Sequence, residues 1–122
     1  MDGENIKSYK ELNIWQRTKS YAVLVYKATE KFPQSELYGL TSQMRRAAVS
    51  MPSNIAEGFR RGSNKEKLQF LRITYGSGAE LETQLEISYE LGYLDEQKYR
   101  EMVQELDVIM RMMNKTISAL KD

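Results

Sequence analysis

Between Leu37 and Phe59 the apolar residues Leu37, Leu40, Met44, Ala48, Met51, Ile55 and Phe59 follow one another at steps of three and four, the repeat of one helix face. Pro52 stands inside that run. Proline has no N–H for the carbonyl four residues back and its ring crowds that carbonyl, so a kink is expected at Pro52. The alternative is a break, with Ser50 capping a second helix and Pro52 in its first turn. One kinked helix is the preferred expectation, because the stripe keeps its phase across the proline. Ser35 would cap this helix, which is predicted over 36–61, and Gly62 would end it.

The same pattern predicts three further helices. Asn13 and Gln16 have the spacing of a capping box, so a first helix is expected from Ile14 to about Phe32, stopped by Pro33. Its expected core face is Ile14, Tyr21, Leu24 or Val25, Ala28 and Phe32. Ser63 and Glu66 form an S-x-x-E box opening a third helix over 64–91, closed by Gly92. Asp95 caps a fourth, running to about Leu120, with a stripe through Tyr99, Leu106, Met113 and Ile117. Four long helices on short connections predict an all-α, antiparallel up-down-up-down four-helix bundle, kinked at Pro52 in its second helix. One domain is expected over 1–122, with 1–12 as a loosely ordered segment, at least to about Lys7.

The third helix has more apolar surface than one bundle face needs. Leu68, Leu71, Tyr75, Gly78, Leu85 and Tyr89 share one side, while Phe70, Ile73, Ile87 and Leu91 gather nearly opposite. A lone bundle leaves the second group wet, which predicts a homo-oligomer with Phe70, Ile73, Ile87 and Leu91 at its interface. Gly76 and Gly78 each cost about 1 kcal/mol relative to alanine mid-helix, so close approach of another helix is expected there.

Composition narrows the chemistry. With no cysteine and no histidine, the chain has no thiolate, no disulfide and neither the commonest general base nor the commonest transition-metal ligand. No catalytic machinery is visible, so neither an enzyme, a cofactor nor a small-molecule substrate is expected. The start, MDGENIKSYK, lacks a signal peptide's apolar core, and the longest apolar run is too short to span a bilayer. A cytoplasmic protein without a membrane partner is the expectation.

The net charge of +1 conceals a division. Residues 45–72 hold seven basic groups against Glu57 and Glu66, a net of +5, while residues 80–107 hold nine acidic groups against Lys98 and Arg100, a net of −7. Arg60, Arg61, Lys65, Lys67 and Arg72 surround the turn between the second and third helices and are the candidate contacts for a phosphate backbone, RNA or DNA. Nothing resembles a base-reading motif, so little sequence preference is expected. Glu82 lies within the apolar stripe of the third helix, and a carboxylate in a core stripe needs a cationic partner. Antiparallel register brings Arg45 level with that region. A structural ion pair Arg45–Glu82 is therefore expected, with Glu80 as the other candidate. Glu82, Glu86 and Glu90 are four apart, but bundle di-metal sites also use histidine, so no metal is expected. Met102, Met110 and Met113 are expected as gap-filling core.

Three long stretches, LNIWQRTKSYAVLVYKATEKFP, LTSQMRRAAVSMPSNIAEGFRRGSNKEKLQFL and GSGAELETQLEISYELGYLDEQKY, resemble the bacterial four-helix-bundle family named for proteins encoded in intervening sequences of 23S ribosomal RNA genes. The most specific parts are RRAAVSMPSNIAEG and AELETQLE. That family is similar to the accessory proteins of diversity-generating retroelements, basic pentameric barrels that bind nucleic acid and a reverse transcriptase. The resemblance implies a homo-oligomer, a pentamer by that analogy, and it matches the nucleic-acid idea only at the Arg60–Arg72 cluster. The chain is far less basic than those relatives. An accessory or scaffold protein that binds no nucleic acid is the alternative.

Overall fold

A computed structural model describes residues 8–121. Four helices carry the fold: α1 (Asn13–Thr29), α2 (Leu40–Arg61), α3 (Asn64–Glu90) and α4 (Glu96–Lys121). Single 3-10 turns at Tyr9–Glu11 and Gln34–Glu36 precede α1 and α2, and there is no strand among the described residues. The loose segment expected through about Lys7 lies outside them. Residues 8–12 make a capped turn. Ser8 Oγ caps the first turn by accepting from Lys10 N at 3.1 Å, and Gln16 Nε2 donates to the Lys10 carbonyl at 2.8 Å.

Contacts fix the directions of the helices. Gly58, Ser50 and Met44 of α2 meet Phe70, Ser77 and Ser88 of α3, so numbers fall on one helix as they rise on the other. Tyr89, Gly78 and Tyr75 of α3 meet Tyr99, Met110 and Asn114 of α4 in the same sense. Tyr21 and Arg17 of α1 meet Met102 and Glu105 of α4. The bundle is antiparallel throughout, as its short connections require. Its centre is filled by Tyr21, Val25, Met44, Met51, Ile55, Leu71, Leu81, Leu85, Met102, Leu106, Ile109 and Met113, all essentially inaccessible. Burying one such side chain is worth about 1.5–3 kcal/mol.

The helix ends follow local chemistry, with two departures from expectation. At the N-terminus of α1, Asn13 is the first helical residue, and Leu12 stands at the cap position without a side-chain bond. The Gln16 amide is committed to Lys10 instead. At α2, the chain first makes a separate 3-10 turn, so the helix starts at Leu40 rather than near Glu36. Glu36 then serves as a remote cap, its Oε1 accepting from Leu40 N at 3.1 Å while Oε2 accepts from the Tyr93 hydroxyl at 3.0 Å. The other ends read as expected. Ser63 Oγ accepts from Glu66 N, Asp95 Oδ1 accepts from Lys98 N at 2.7 Å, and Gly62 and Gly92 take positive φ of 93° and 80°. That left-handed geometry favours glycine. α2 is one helix through Pro52, which is buried within it. The phase of the apolar stripe was thus a sound guide to continuity.

α3 meets the bundle differently from its apolar pattern. Its buried face carries Leu71, Gly78, Leu81 and Leu85, but also Thr74, Ser77, Gln84 and Ser88. The polar members bond locally: Thr74 to the Phe70 carbonyl, Ser88 to the Gln84 carbonyl at 2.7 Å, and Ser77 across to Ser50 at 2.8 Å. Small side chains at this seam let α2 and α3 approach closely. A methyl group on Gly58 would come within 2.8 Å of Phe70 Cβ. Gln84 Oε1 is buried without a partner among the described residues.

Candidate nucleic-acid interface

The α2–α3 turn forms one end of the bundle. Arg60 and Arg61 are the last residues of α2, and Lys65 and Lys67 lie in the first turns of α3 because the Ser63 cap starts that helix at Asn64. Arg72 follows on the outer side of α3 and is exposed. The antiparallel course of α4 returns its C-terminal lysines, Lys115 and Lys121, toward the same end, past the level at which Asn114 meets Tyr75. Charge along the sequence said nothing of these two lysines, because only the register of α4 against α3 brings them here.

The five predicted cations are not equivalent. Arg61 is bound within the protein: its Nη2 meets Glu57 Oε2 at 2.8 Å and its Nη1 lies 3.7 Å from Glu66. The hydrogen bond that Arg61 donates to Glu57, with the charge of Glu57 and then that of Glu66, holds the Arg61 guanidinium even more firmly protonated than usual. Arg60, Lys65, Lys67 and Arg72 make no ion pair among the described residues. Two of these cations rest on aromatic faces, Arg60 over Tyr9 at 5.5 Å and Lys67 over Phe59 at 5.1 Å. Such contacts orient the charged heads while leaving their hydrogen bonds for solvent or ligand. Tyr9 in turn meets Trp15 edge-on, with 5.3 Å between centroids, so the N-terminal 3-10 turn is part of this end.

The opposite end is acidic along α3 and α4. Glu80, Glu82, Glu86 and Glu90 occupy the second half of α3, and Glu96 and Glu101 open α4. Among the described residues, no group of three or more acidic, histidine or cysteine side chains is placed to hold a metal ion.

The expected ion pair of Arg45 with Glu82 does not form, and neither does the pairing with Glu80. Arg45 turns to α1: its Nε donates to Thr29 Oγ1 at 2.9 Å, its Nη2 reaches the Tyr26 carbonyl at 3.4 Å, and its guanidinium lies 4.6 Å from the Tyr26 ring centre. Glu82 is exposed. The reason lies in α3. Counting apolar residues alone centres its face on Tyr75 and Tyr89, but the polar residues Thr74, Ser77, Gln84 and Ser88 are inside, which rotates the buried face by about a quarter turn. Glu82 then falls on the solvent edge beside Tyr75 and Tyr89, and needs no partner. Glu80 shares a shallow hollow with Gln43, Arg46 and Ala47, so it faces Arg46 rather than Arg45.

The predicted interface residues divide as well. Ile73, Ile87 and Leu91 are 47%, 44% and 54% exposed, a row on the outside of α3 toward the α2 side. Phe70 is only half-buried, packed on Gly58 with Arg61 over its ring. The predicted core methionines Met102, Met110 and Met113 are buried. A second apolar surface escaped the sequence reading. Val23 and Tyr26 of α1, Val49 of α2, and Leu37 and Tyr38 in the connection between the helices are all exposed, Tyr38 to 93%. They come from three segments that only packing of α1 on α2 unites, and Leu37, expected on the apolar stripe of the second helix, lies outside because that helix starts at Leu40.

Among the described residues no helix is long and apolar enough to cross a membrane. Comparison with protein families matches residues 10–115 to the family described as 23S rRNA-intervening sequence protein. No curated protein matches the chain.

Proposed function

The chain belongs to the 23S rRNA-intervening sequence protein family, and from that premise we infer that it is a non-enzymatic, self-associating bundle that contacts nucleic acid, RNA foremost, through the α2–α3 end. One observation supports the reading: Arg60, Lys65, Lys67 and Arg72 make no ion pair among the described residues at the end where α2 meets α3, while the carboxylates of α3 and α4 other than Glu66 lie toward the other. Such separation attracts phosphate at one end and repels it at the other, orienting the encounter. Four such cations on one copy give weak binding. Self-association repeats the turn and adds the contacts through multivalency. With no base-reading element, binding follows the backbone, shows little sequence preference and weakens steeply with salt through counterion release.

The test is a gel-shift series with structured RNA and duplex DNA at low and moderate salt. Replacing Arg60, Lys65, Lys67 and Arg72 by Ser abolishes the shift and leaves helicity and assembly size unchanged. Arg61→Ser alone has a smaller effect, because Glu57 and Glu66 already occupy its guanidinium. No shift by the wild type, or an undiminished shift by the fourfold variant, overturns the nucleic-acid reading. That result favours a protein scaffold, the reading supported by the exposed apolar row on α3 and the patch around Tyr38.

A further inference from the structure

The cations of the α2–α3 end are placed differently from those elsewhere on the molecule. Apart from Arg45 on Tyr26, every cation seated on an aromatic ring among the described residues belongs to this end. Lys19 lies over Trp15 at 5.2 Å, Arg60 over Tyr9 at 5.5 Å, Lys67 over Phe59 at 5.1 Å and Arg61 over Phe70 at 5.4 Å. Two of the rings meet each other. Tyr9 and Trp15 stand 5.3 Å apart at 68°, so their faces look in different directions, and both are partly exposed.

The pair is held in place by the protein itself. Leu12 N donates to the Tyr9 carbonyl at 3.0 Å and closes the turn. Gln16, the residue after Trp15, donates to the Lys10 carbonyl and ties that turn to α1. Nearby carboxylates do not reverse the charge. Arg61 engages Glu57 and Glu66, and Glu66 also accepts from the Ser63 hydroxyl. Glu11 stands against Lys10, Lys19, Arg60, Lys65 and Lys67, and none of these six makes an ion pair among the described residues.

We propose that the nucleic acid received at this end is single-stranded RNA, with Trp15 and Tyr9 as the platforms on which its unpaired bases stack. Inside a duplex each base is already stacked between its neighbours and offers a protein only edges and backbone. An unpaired base has a free π-face and gains from an aromatic ring, whichever base it is. An exposed cation over a ring is held more weakly than a stacked base. A base therefore takes the face of Trp15 from Lys19 and that of Tyr9 from Arg60. The displaced ammonium and guanidinium remain beside the nucleotide and turn to its phosphate, where a charge-assisted hydrogen bond replaces the contact they gave up. Stacking of this kind ignores sequence, in keeping with the lack of a base-reading element. The inference rests on the nucleic-acid reading above and names the form of strand that the same end accepts.

Filter binding tests it, with a uridine-rich RNA that has no secondary structure and the same strand annealed to its complement. The wild type prefers the single strand. Tyr9→Leu and Trp15→Leu, which keep an apolar side chain but remove the ring, each lower that preference about tenfold. Tyr9→Phe and Trp15→Phe keep a π-face and stay within about twofold of the wild type. Neither leucine variant changes the salt slope, whereas Lys65→Ser lowers it by about one. Circular dichroism checks folding, and should Trp15→Leu lose its helices, the two Tyr9 variants decide. Equal wild-type affinity for both forms, or leucine variants that lose both forms equally or neither, overturns the stacking assignment and leaves the nucleic-acid reading standing. A wild type that binds neither form overturns both.

Discussion

α2 and α3 are joined by a two-residue turn, pack along their whole length, and are built on opposite plans. α2 places alanine, methionine and isoleucine inside and keeps its arginines outside or at its edge. α3 places Thr74, Ser77, Gln84 and Ser88 inside and leaves Ile73, Ile87 and Leu91 outside. The first is the arrangement of a helix with one partner surface. The second sets aside large side chains on the outside and accepts small ones inside, because α2 comes too close for anything larger. A helix-by-helix apolar count treats the two alike, so it describes α2 well and misplaces α3.

The largest expected effect separates the two sides of α3. Leu81→Ala, at a fully buried position, costs about 2–5 kcal/mol of folding stability, whereas Ile87→Ala on the outer row costs less than about 0.5 kcal/mol in a monomeric state. Denaturant midpoints at low protein concentration check the ratio. Equal costs would dissolve the distinction between inside and outside.

Glycine substitutions sharpen the same contrast. Gly58→Ala drives a methyl group into Phe70 and parts α2 from α3, costing about 1–3 kcal/mol. Gly76→Ala meets open space and stabilises the single chain by up to about 1 kcal/mol through helix propensity. Thermal melts of the two should move in opposite directions.

Tyr21 gives a prediction with a pH signature. Its hydroxyl donates to the Met102 carbonyl at 2.7 Å, and burial, then the charges of Glu105 and Glu82, push its phenol well above the ordinary range. The folded protein keeps a proton that the unfolded chain releases near pH ~10, so stability present below that pH falls as pH rises past it. Tyr21→Phe costs about 1 kcal/mol at neutral pH and flattens the alkaline fall. Urea titrations at neutral and alkaline pH measure both.

Gln84→Met tests the polar interior of α3 from the other direction. Removing an unpartnered buried oxygen should gain about 1 kcal/mol, seen as a raised midpoint. The last contrast is between Arg45→Ala and Glu82→Ala. A buried ion pair with Glu82 would make it cost on the order of 3 kcal/mol. The observed contacts, hydrogen bonds to Thr29 Oγ1 and the Tyr26 carbonyl and a stack on the Tyr26 ring, predict about 1 kcal/mol, with Glu82→Ala nearly silent.

These particulars show what was legible in advance. The bundle, its turns and the caps at Ser63 and Asp95 follow from apolar spacing and from residues whose side chains bond within one turn, which is local information. The basic cluster at Arg60–Arg72 is contiguous in sequence and could be named there. Three things needed the assembled chain. The serine and threonine lining of α3 is invisible to a count of apolar residues. The loss of Arg61 to Glu57 and Glu66 depends on rotamers. The groove under Val23, Tyr26 and Val49 exists only once α1 lies on α2.

Trp15, the only tryptophan, stands at the basic end with Tyr9 against its edge and Lys19 over its face at 5.2 Å. Tyr9 is the ring on which Arg60 rests. The molecule thereby carries its own fluorophore two contacts from an arginine of the candidate interface. Its emission reports the docking of the N-terminal turn and whatever displaces Arg60, with no label added.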